Sequence, residues 1–389
     1  MIEPVIPVPQ FQQSNDEHGE RGPTRAHFVT LDGLRGVAAF VVLLFHRRFW
    51  VSPMAFGHGY LAVDFFFLLS GFVIAYAYED RLASGRMTFA GFLRARIIRL
   101  GPLVILGALM GAAVQVVTAA RGGTGVGGAL AALPFAMATL PVPWSDKPFF
   151  INDPSWSLFF EIAANLAFAL IAPRLGNRLL AIALITAMIA LALVVAGTNS
   201  GSMGDGFNHI GLTWPTMLPG IARVAAPFLA GIALHRLWAA GKLPRLKVPF
   251  WALALAVFIL LCIPPLSPGA EVAYILTCCL IAFPLIIISG CQSPPSPRLV
   301  GIASLSAMIS FPLYILQMPI LQAFDLVRGD VPAHTRVSLI VEAAVICLFS
   351  LVVARYFDAP VRRWLGKAPA KPRVVGTGSE LARTSDNQF

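Results

Sequence analysis

Four ionisable side chains stand where the surrounding sequence is apolar. Arg35 and His46 share one apolar run, Asp64 precedes a phenylalanine run in Val63-Asp64-Phe65-Phe66-Phe67, and Glu161 follows Trp156-Ser157-Leu158-Phe159-Phe160. A charge carried into a bilayer on a helix costs roughly 2.5–3.5 kcal/mol on insertion scales, so such residues usually serve a purpose. Eleven residues separate Arg35 from His46. Eleven helical steps return to within about 20° of the starting direction and rise about 16 Å. Both side chains therefore share a face at opposite depths. An arginine snorkelling at one end and a polar histidine at the interface would also give that pattern. Asp64 could equally cap a helix at the membrane surface, and Glu161 could be a structural partner for Arg223. Depth counting puts His46, Asp64 and Glu161 in one layer. A histidine beside a carboxylate can take a proton from a hydroxyl, with the carboxylate setting the tautomer and stabilising the imidazolium. That chemistry serves group transfer to an alcohol.

At the opposite depth Arg94, Arg96 and Arg99 precede the third apolar run, and Arg96 and Arg99 share a helix face. They read either as anchors to lipid headgroups or as a clamp for an anionic, phosphate-bearing ligand, since guanidinium forks match phosphate.

The elements that must position these residues are membrane helices. Of 389 residues, 57% are hydrophobic and 12% charged, about half the charge of a soluble domain. Runs such as 179–197 and 248–266 carry no charge and are about as long as a bilayer core requires. Continuous rather than alternating apolar character selects helices over a barrel. Ten spans are predicted, at 31–50, 60–78, 100–118, 155–172, 179–197, 216–235, 248–266, 271–290, 303–324 and 337–357. The fold class is all-α, a polytopic integral membrane protein with about ten transmembrane helices in one bundle. A further apolar stretch, 125–140, is short and ends at Pro141. With the amino terminus cytoplasmic and this stretch not crossing, 20 Lys and Arg fall in inner segments and six in outer loops. A crossing would move the basic 236–247 loop and the basic tail outside, against the positive-inside rule. So 121–154 is read as one outer loop with an interfacial or re-entrant helix.

The formal net charge of +10 is spread between spans rather than over one soluble face, which argues against nucleic-acid binding. The five cysteines fall in apolar runs without metal-ligand spacing, so no metal site is expected. Gly123 to Gly128 fits a dinucleotide glycine string, but no strand precedes it and it reads as chance. Gly107 and Gly111 read as close helix packing, and so does Ser70-Gly71.

Taken together, the strings resemble the family 3 membrane acyltransferases, which include O-antigen acetylases, Nod-factor acetylases and macrolide acyltransferases. They are Leu31-Asp32-Gly33-Leu34-Arg35-Gly36 with His46, Gly59-Tyr60-Leu61-Ala62-Val63-Asp64 into Leu69-Ser70-Gly71-Phe72, Arg96-Ile97-Ile98-Arg99, Pro154-Ser155-Trp156-Ser157 to Glu161, and Phe357-Asp358-Ala359-Pro360-Val361-Arg362. The resemblance covers residues 31 to about 365. It implies a ten-helix enzyme moving an acyl group, usually acetyl, from acyl-CoA to a hydroxyl of a sugar or glycan in polysaccharide biosynthesis. The alternatives are a transporter or flippase of a lipid-linked or secreted compound, or acylation of a small molecule such as a macrolide. It implies that Arg35 and His46 are essential and that Arg96 and Arg99 serve the donor. Joined to the depth reading, this makes His46, Asp64 and Glu161 the candidate catalytic residues, Arg35, Arg96 and Arg99 the candidate donor-binding residues, and Trp156, Ser157 and Gln317 the candidate substrate-binding residues. Relatives often carry His where Gln317 stands, which removes an acid or base but leaves a group able to hydrogen-bond a ligand. Acyl-CoA (acetyl-CoA) is then a cosubstrate, with no permanently bound cofactor. The implied partners are membrane lipid and a glycan or lipid-linked saccharide acceptor, in a bacterial inner membrane with both termini cytoplasmic. The expected organisation is a disordered leader at 1–30, the acyltransferase domain at 31–365 and a disordered tail at 366–389.

Overall fold

The computed structural model describes residues 28–52, 54–122, 126–199, 206–329 and 336–367. The expected leader and tail lie outside these, apart from residues 28–30 and 366–367, and so does part of the 123–128 glycine string. Among the described residues there is no strand. Thirteen helices follow one another: α1 Val29–His46, α2 Ala62–Ala83, α3 Phe89–Arg121, α4 Gly127–Met137, α5 Ser155–Ile171, α6 Asn177–Asn199, α7 Met217–Ala239, α8 Phe250–Cys262, α9 Pro268–Thr277, α10 Phe283–Gly290, α11 Val300–Arg328, α12 Arg336–Val353 and α13 Ala359–Gly366. Among the described residues nine helical segments are long and apolar enough to cross a membrane, and the protein is an integral membrane protein.

Two of those segments carry a π turn, Cys278–Ala282 between α9 and α10 and Ala354–Asp358 between α12 and α13. Each leads into a proline, Pro284 and Pro360. A proline ring collides with the carbonyl four residues back, and a widened turn relieves that collision.

The predicted span 248–266 corrects to a helix of 13 residues, α8, about 20 Å long. Pro249 precedes it, and Ile263 leaves it in an extended conformation before Pro264 and Pro265. Its ends nevertheless reach opposite ends of the bundle. Val248 N–H donates to Ser293 Oγ at 3.2 Å, after α10, while the Ile263 carbonyl accepts from His58 Nδ1 at 2.8 Å, before α2. The 125–140 stretch forms the 11-residue α4, too short to span alone. The third span starts earlier than predicted, at Phe89, with the Thr88 hydroxyl accepting Gly91 N–H at 3.1 Å as N-cap. Arg94, Arg96 and Arg99 therefore sit inside a 33-residue helix rather than ahead of it.

At the centre runs α1, where Leu31, Leu34, Ala38, Ala39 and Val41 are all fully buried. It lies parallel to α11, and Gly36 permits the contact: a Cβ there would sit 2.2 Å from the Ser306 carbonyl oxygen. The α2–α7 contact is closer still, with Gly71 facing the Phe228 carbonyl and Gly231 facing the Leu68 carbonyl. Backbones this near gain the dispersion contacts that hold membrane helices together where no hydrophobic drive acts between them. Peripheral α6 shows the reverse pattern: Ile182, Ile185, Ile189 and Leu193 form an exposed stripe at helical spacing, the surface lipid would cover.

Candidate active site

Because α1 and α11 are parallel, their facing residues form two levels, an arginine end where both begin and a histidine end towards which both run. On α11 Ser310, Tyr314 and Gln317 recur at helical spacing and share a face. Arg35 Nε donates to Ser310 Oγ at 2.9 Å. Further along, Gln317, itself fully buried, stands beside the His46 ring within hydrogen-bond reach. Gln317 Nε2 donates to the Tyr314 carbonyl at 3.1 Å. That leaves Gln317 Oε1 and His46 Nδ1, both buried, without a partner among the described residues. A buried polar atom left unsatisfied costs about 1–3 kcal/mol. A bound molecule that donates one hydrogen to each would recover that cost.

The last turn of α1 is clamped immediately beyond His46. Arg47 donates to Glu342 Oε2 of α12 at 3.1 Å, to Asp325 Oδ1 of α11 at 2.8 Å and to the Leu321 carbonyl at 2.8 Å, and Arg328 reaches the other oxygen of Glu342. Sequence reading left Arg47 as a loop charge. Its neighbours are distant in sequence, so only the charge itself was visible.

At the arginine end α1, α3 and α13 converge. The Arg99 guanidinium is buried among the charges of Arg362, Arg35, Asp358 and Arg96, 5.9 Å over the Phe311 ring. Arg35 also lies 3.8 Å from Asp32. Arg96 lies 3.4 Å from Glu161 Oε1, which accepts from Ser70 Oγ at 2.8 Å. The structure thus brings Arg35, Arg96 and Arg99 together and adds Arg362. Asp32, Glu161 and Asp358 pair with Arg35, Arg96 and Arg362, so the four guanidiniums outnumber their carboxylates and leave this level positive, which favours an anion. Arg362 stood in a recognised string, but nothing in its spacing placed α13 against α3.

The expected carboxylate partner of His46 is absent. Asp64 instead meets Arg223 in a fully buried pair, with Nε to Oδ1 at 3.1 Å and Nη2 to Oδ2 at 2.9 Å. The remaining Arg223 donors go to the carbonyls of Phe207, Ile210 and Tyr60, and the Trp156 and Phe207 rings lie over the guanidinium at 5.0 and 4.3 Å. Arg223 therefore belongs to Asp64 and not to Glu161. Glu161 belongs by contact to the Arg96 level, because α3 begins eleven residues before the predicted span and carries Arg96 into the bundle. Asp64 and Glu161 are thus engaged by Arg223 and by Arg96 rather than by His46. Of the expected substrate contacts, Trp156 is spent on Arg223, Ser157 Oγ shares a hydrogen with Tyr314 Oη at 2.6 Å, and Gln317 alone borders His46. Tyr314, which sequence reading passed over, links Ser157 to the turn of α11 that carries Gln317.

The loop before α5 adds one perturbed group. Burial pushes the Asp153 carboxyl up to about 6, opposed only in part by Lys147.

A family model described as an acyltransferase domain, the family 3 acyltransferases, matches residues 28–357. Among curated proteins, "Protein 2 in picA locus" of Rhizobium radiobacter is 38% identical over 157 residues, covering 36% of this chain and 81% of that protein. No solved structure matches.

Proposed function

The chain belongs to the family 3 acyltransferases, and from that premise we propose that it is an acyl-CoA-dependent O-acyltransferase that moves an acyl group, acetyl in the simplest case, to a hydroxyl of a sugar or glycan. The carrying observation is the division of one helix pair into two levels, with Arg35, Arg99 and Arg362 clustered at one end and the partnerless His46 Nδ1 about 16 Å away along α1. The phosphates of the donor bind the arginine end, with Arg96 completing the cluster. The pantetheine arm, a flexible linear chain, runs along the α1–α11 face and brings the thioester to His46. The acceptor enters from the histidine end.

In the reaction His46 Nδ1 takes the hydroxyl proton as the oxygen attacks the thioester carbonyl. The carbon–sulfur bond then breaks, and the departing thiolate takes the proton back. Gln317 Oε1 accepts a hydrogen bond from a second hydroxyl of the acceptor and so helps hold the reacting oxygen in line. Asp64 and Glu161 act at a distance, the first by holding α2 to α7 through Arg223, the second by fixing Arg96. The excess of basic residues at the arginine end supports a bacterial inner-membrane setting with that end cytoplasmic. Donor would then come from the cytoplasm, and acceptor from the other side.

Titration of acetyl-CoA into the purified protein in nanodiscs tests the donor half. Arg99→Gln removes one guanidinium from the cluster and should weaken acetyl-CoA binding about 10- to 100-fold, with a steep salt dependence in the wild type. Unchanged affinity in Arg99→Gln and in Arg35→Gln would refute the donor site.

A further inference from the structure

A cavity of about 300 Å³ opens at the histidine end beside α1, lined by Phe45, Arg48, Phe49, Tyr60, Phe207 and Glu271 among others. It adjoins the reacting centre: the Phe45 ring is 5.9 Å from the His46 ring and 6.0 Å from the Tyr60 ring, and Tyr60 continues to Phe207 at 6.2 Å. Its volume is at the low end for ligand pockets, the scale of a sugar unit rather than of a nucleotide-bearing donor.

The charges in this cavity are unequal in freedom. The Glu271 carboxylate is fully engaged: Tyr60 Oη donates to it at 2.9 Å, Leu266 N–H donates at 3.0 Å, and His58 Nε2 lies at 3.1 Å. His58 Nδ1 donates to the Ile263 carbonyl, which can only accept, at 2.8 Å. Arg48 differs. Its guanidinium lies over Phe45 at 4.1 Å and Phe49 at 4.4 Å and donates to the Phe45 carbonyl at 3.2 Å, and no carboxylate pairs with it among the described residues. A cation serving only as a lipid anchor would extend towards headgroups. Here it is folded back over two rings at the mouth of the cavity, with donors to spare.

We propose that this cavity is the acceptor subsite and that it takes an anionic saccharide unit, whose carboxylate pairs with Arg48 while the aromatic walls meet the C–H faces of the sugar ring. The assignment rests on the acyltransfer reading above for its role, and on the cavity alone for its chemistry.

Saturation-transfer NMR on the full chain in nanodiscs of zwitterionic lipid tests it, with methyl β-D-glucuronide, methyl β-D-glucoside and inorganic phosphate as probes. The wild type should bind the glucuronide at least tenfold more tightly than the glucoside. Arg48→Gln should erase that preference, and Phe49→Ala should weaken both glycosides. Absence of glucuronide binding, equal binding of the two glycosides, or a preference that survives in Arg48→Gln would overturn the proposal. Displacement of the glucuronide by equimolar phosphate would overturn it too, marking a headgroup-type anion site. Acetyl-CoA binding measured on the same samples keeps the two ideas apart. If it persists in Arg48→Gln, the variant is folded; if the wild type lacks it, the donor reading fails whatever the glycosides do.

Discussion

Replacing Asp64 by Asn should unfold the bundle more easily rather than disarm a catalyst. The pair it forms with Arg223 is completely buried, and two of the five Arg223 hydrogen bonds end on its carboxylate. The amide keeps the shape and one acceptor oxygen but removes the charge, leaving a guanidinium in an apolar interior with three carbonyls, two rings and no counter-charge. Breaking a buried ion pair from one side costs about 3–5 kcal/mol, since the remaining charge stays uncompensated. Unfolding entropy scales with length, so for 389 residues each kcal/mol moves the midpoint of thermal unfolding about 1 °C, and it should fall on the order of 5 °C. A thiol-reactive fluorophore reads this directly in detergent, because Cys278 and Cys279 are buried beside the pair and become reactive only on unfolding. The double variant Asp64→Leu with Arg223→Met removes both charges and should recover part of the loss, as coupled partners do. A single Asp64→Asn variant that melts within 2 °C of the wild type yet has lost acyl transfer would refute this reasoning and return Asp64 to the reaction.

Two further substitutions probe the frame. Gly71→Ala would put a Cβ 2.0 Å from the Phe228 carbonyl oxygen, a backbone atom unable to step aside, so α2 and α7 must separate; the expected cost is roughly 1–3 kcal/mol, read by the same thermal assay. Asp153, raised to about 6 by burial, binds its proton more tightly folded than unfolded, so stability should fall as pH rises from about 4 to 6, by on the order of 2–3 kcal/mol. Asp153→Asn should flatten that slope, as followed by thermal midpoints at pH 4.5 and 7.

Much of the architecture could be read from apolar runs, because a helix in lipid must satisfy its own backbone and so declares its length. The departures have local causes. Pro249 and the Pro264-Pro265 pair cut the run 248–266 to a 13-residue helix with extended ends, which hydropathy does not register. Thr88 starts α3 well before its apolar stretch begins, and that shift moved Arg96 into the bundle beside Glu161. The alignment of Arg35 with His46 followed from helical geometry alone, since both lie on one helix. Which carboxylate meets which cation did not, because Asp64 and Glu271 lie towards the same end of the bundle and only packing decides which of them meets Arg223. Gln317 was singled out as a departure from a resembling pattern, and the structure puts it against the one ring whose chemistry it could serve.

The most direct test of His46 as the proton acceptor is the O-acyl content of surface glycans, by NMR, in a strain whose only copy carries His46→Ala, with membrane levels of the protein matched to the wild type. Loss of a general base typically lowers the rate about 10²–10⁴-fold, so the O-acyl signals present with the wild-type copy should be absent. Undiminished O-acyl signals from a folded, membrane-resident His46→Ala protein would contradict it.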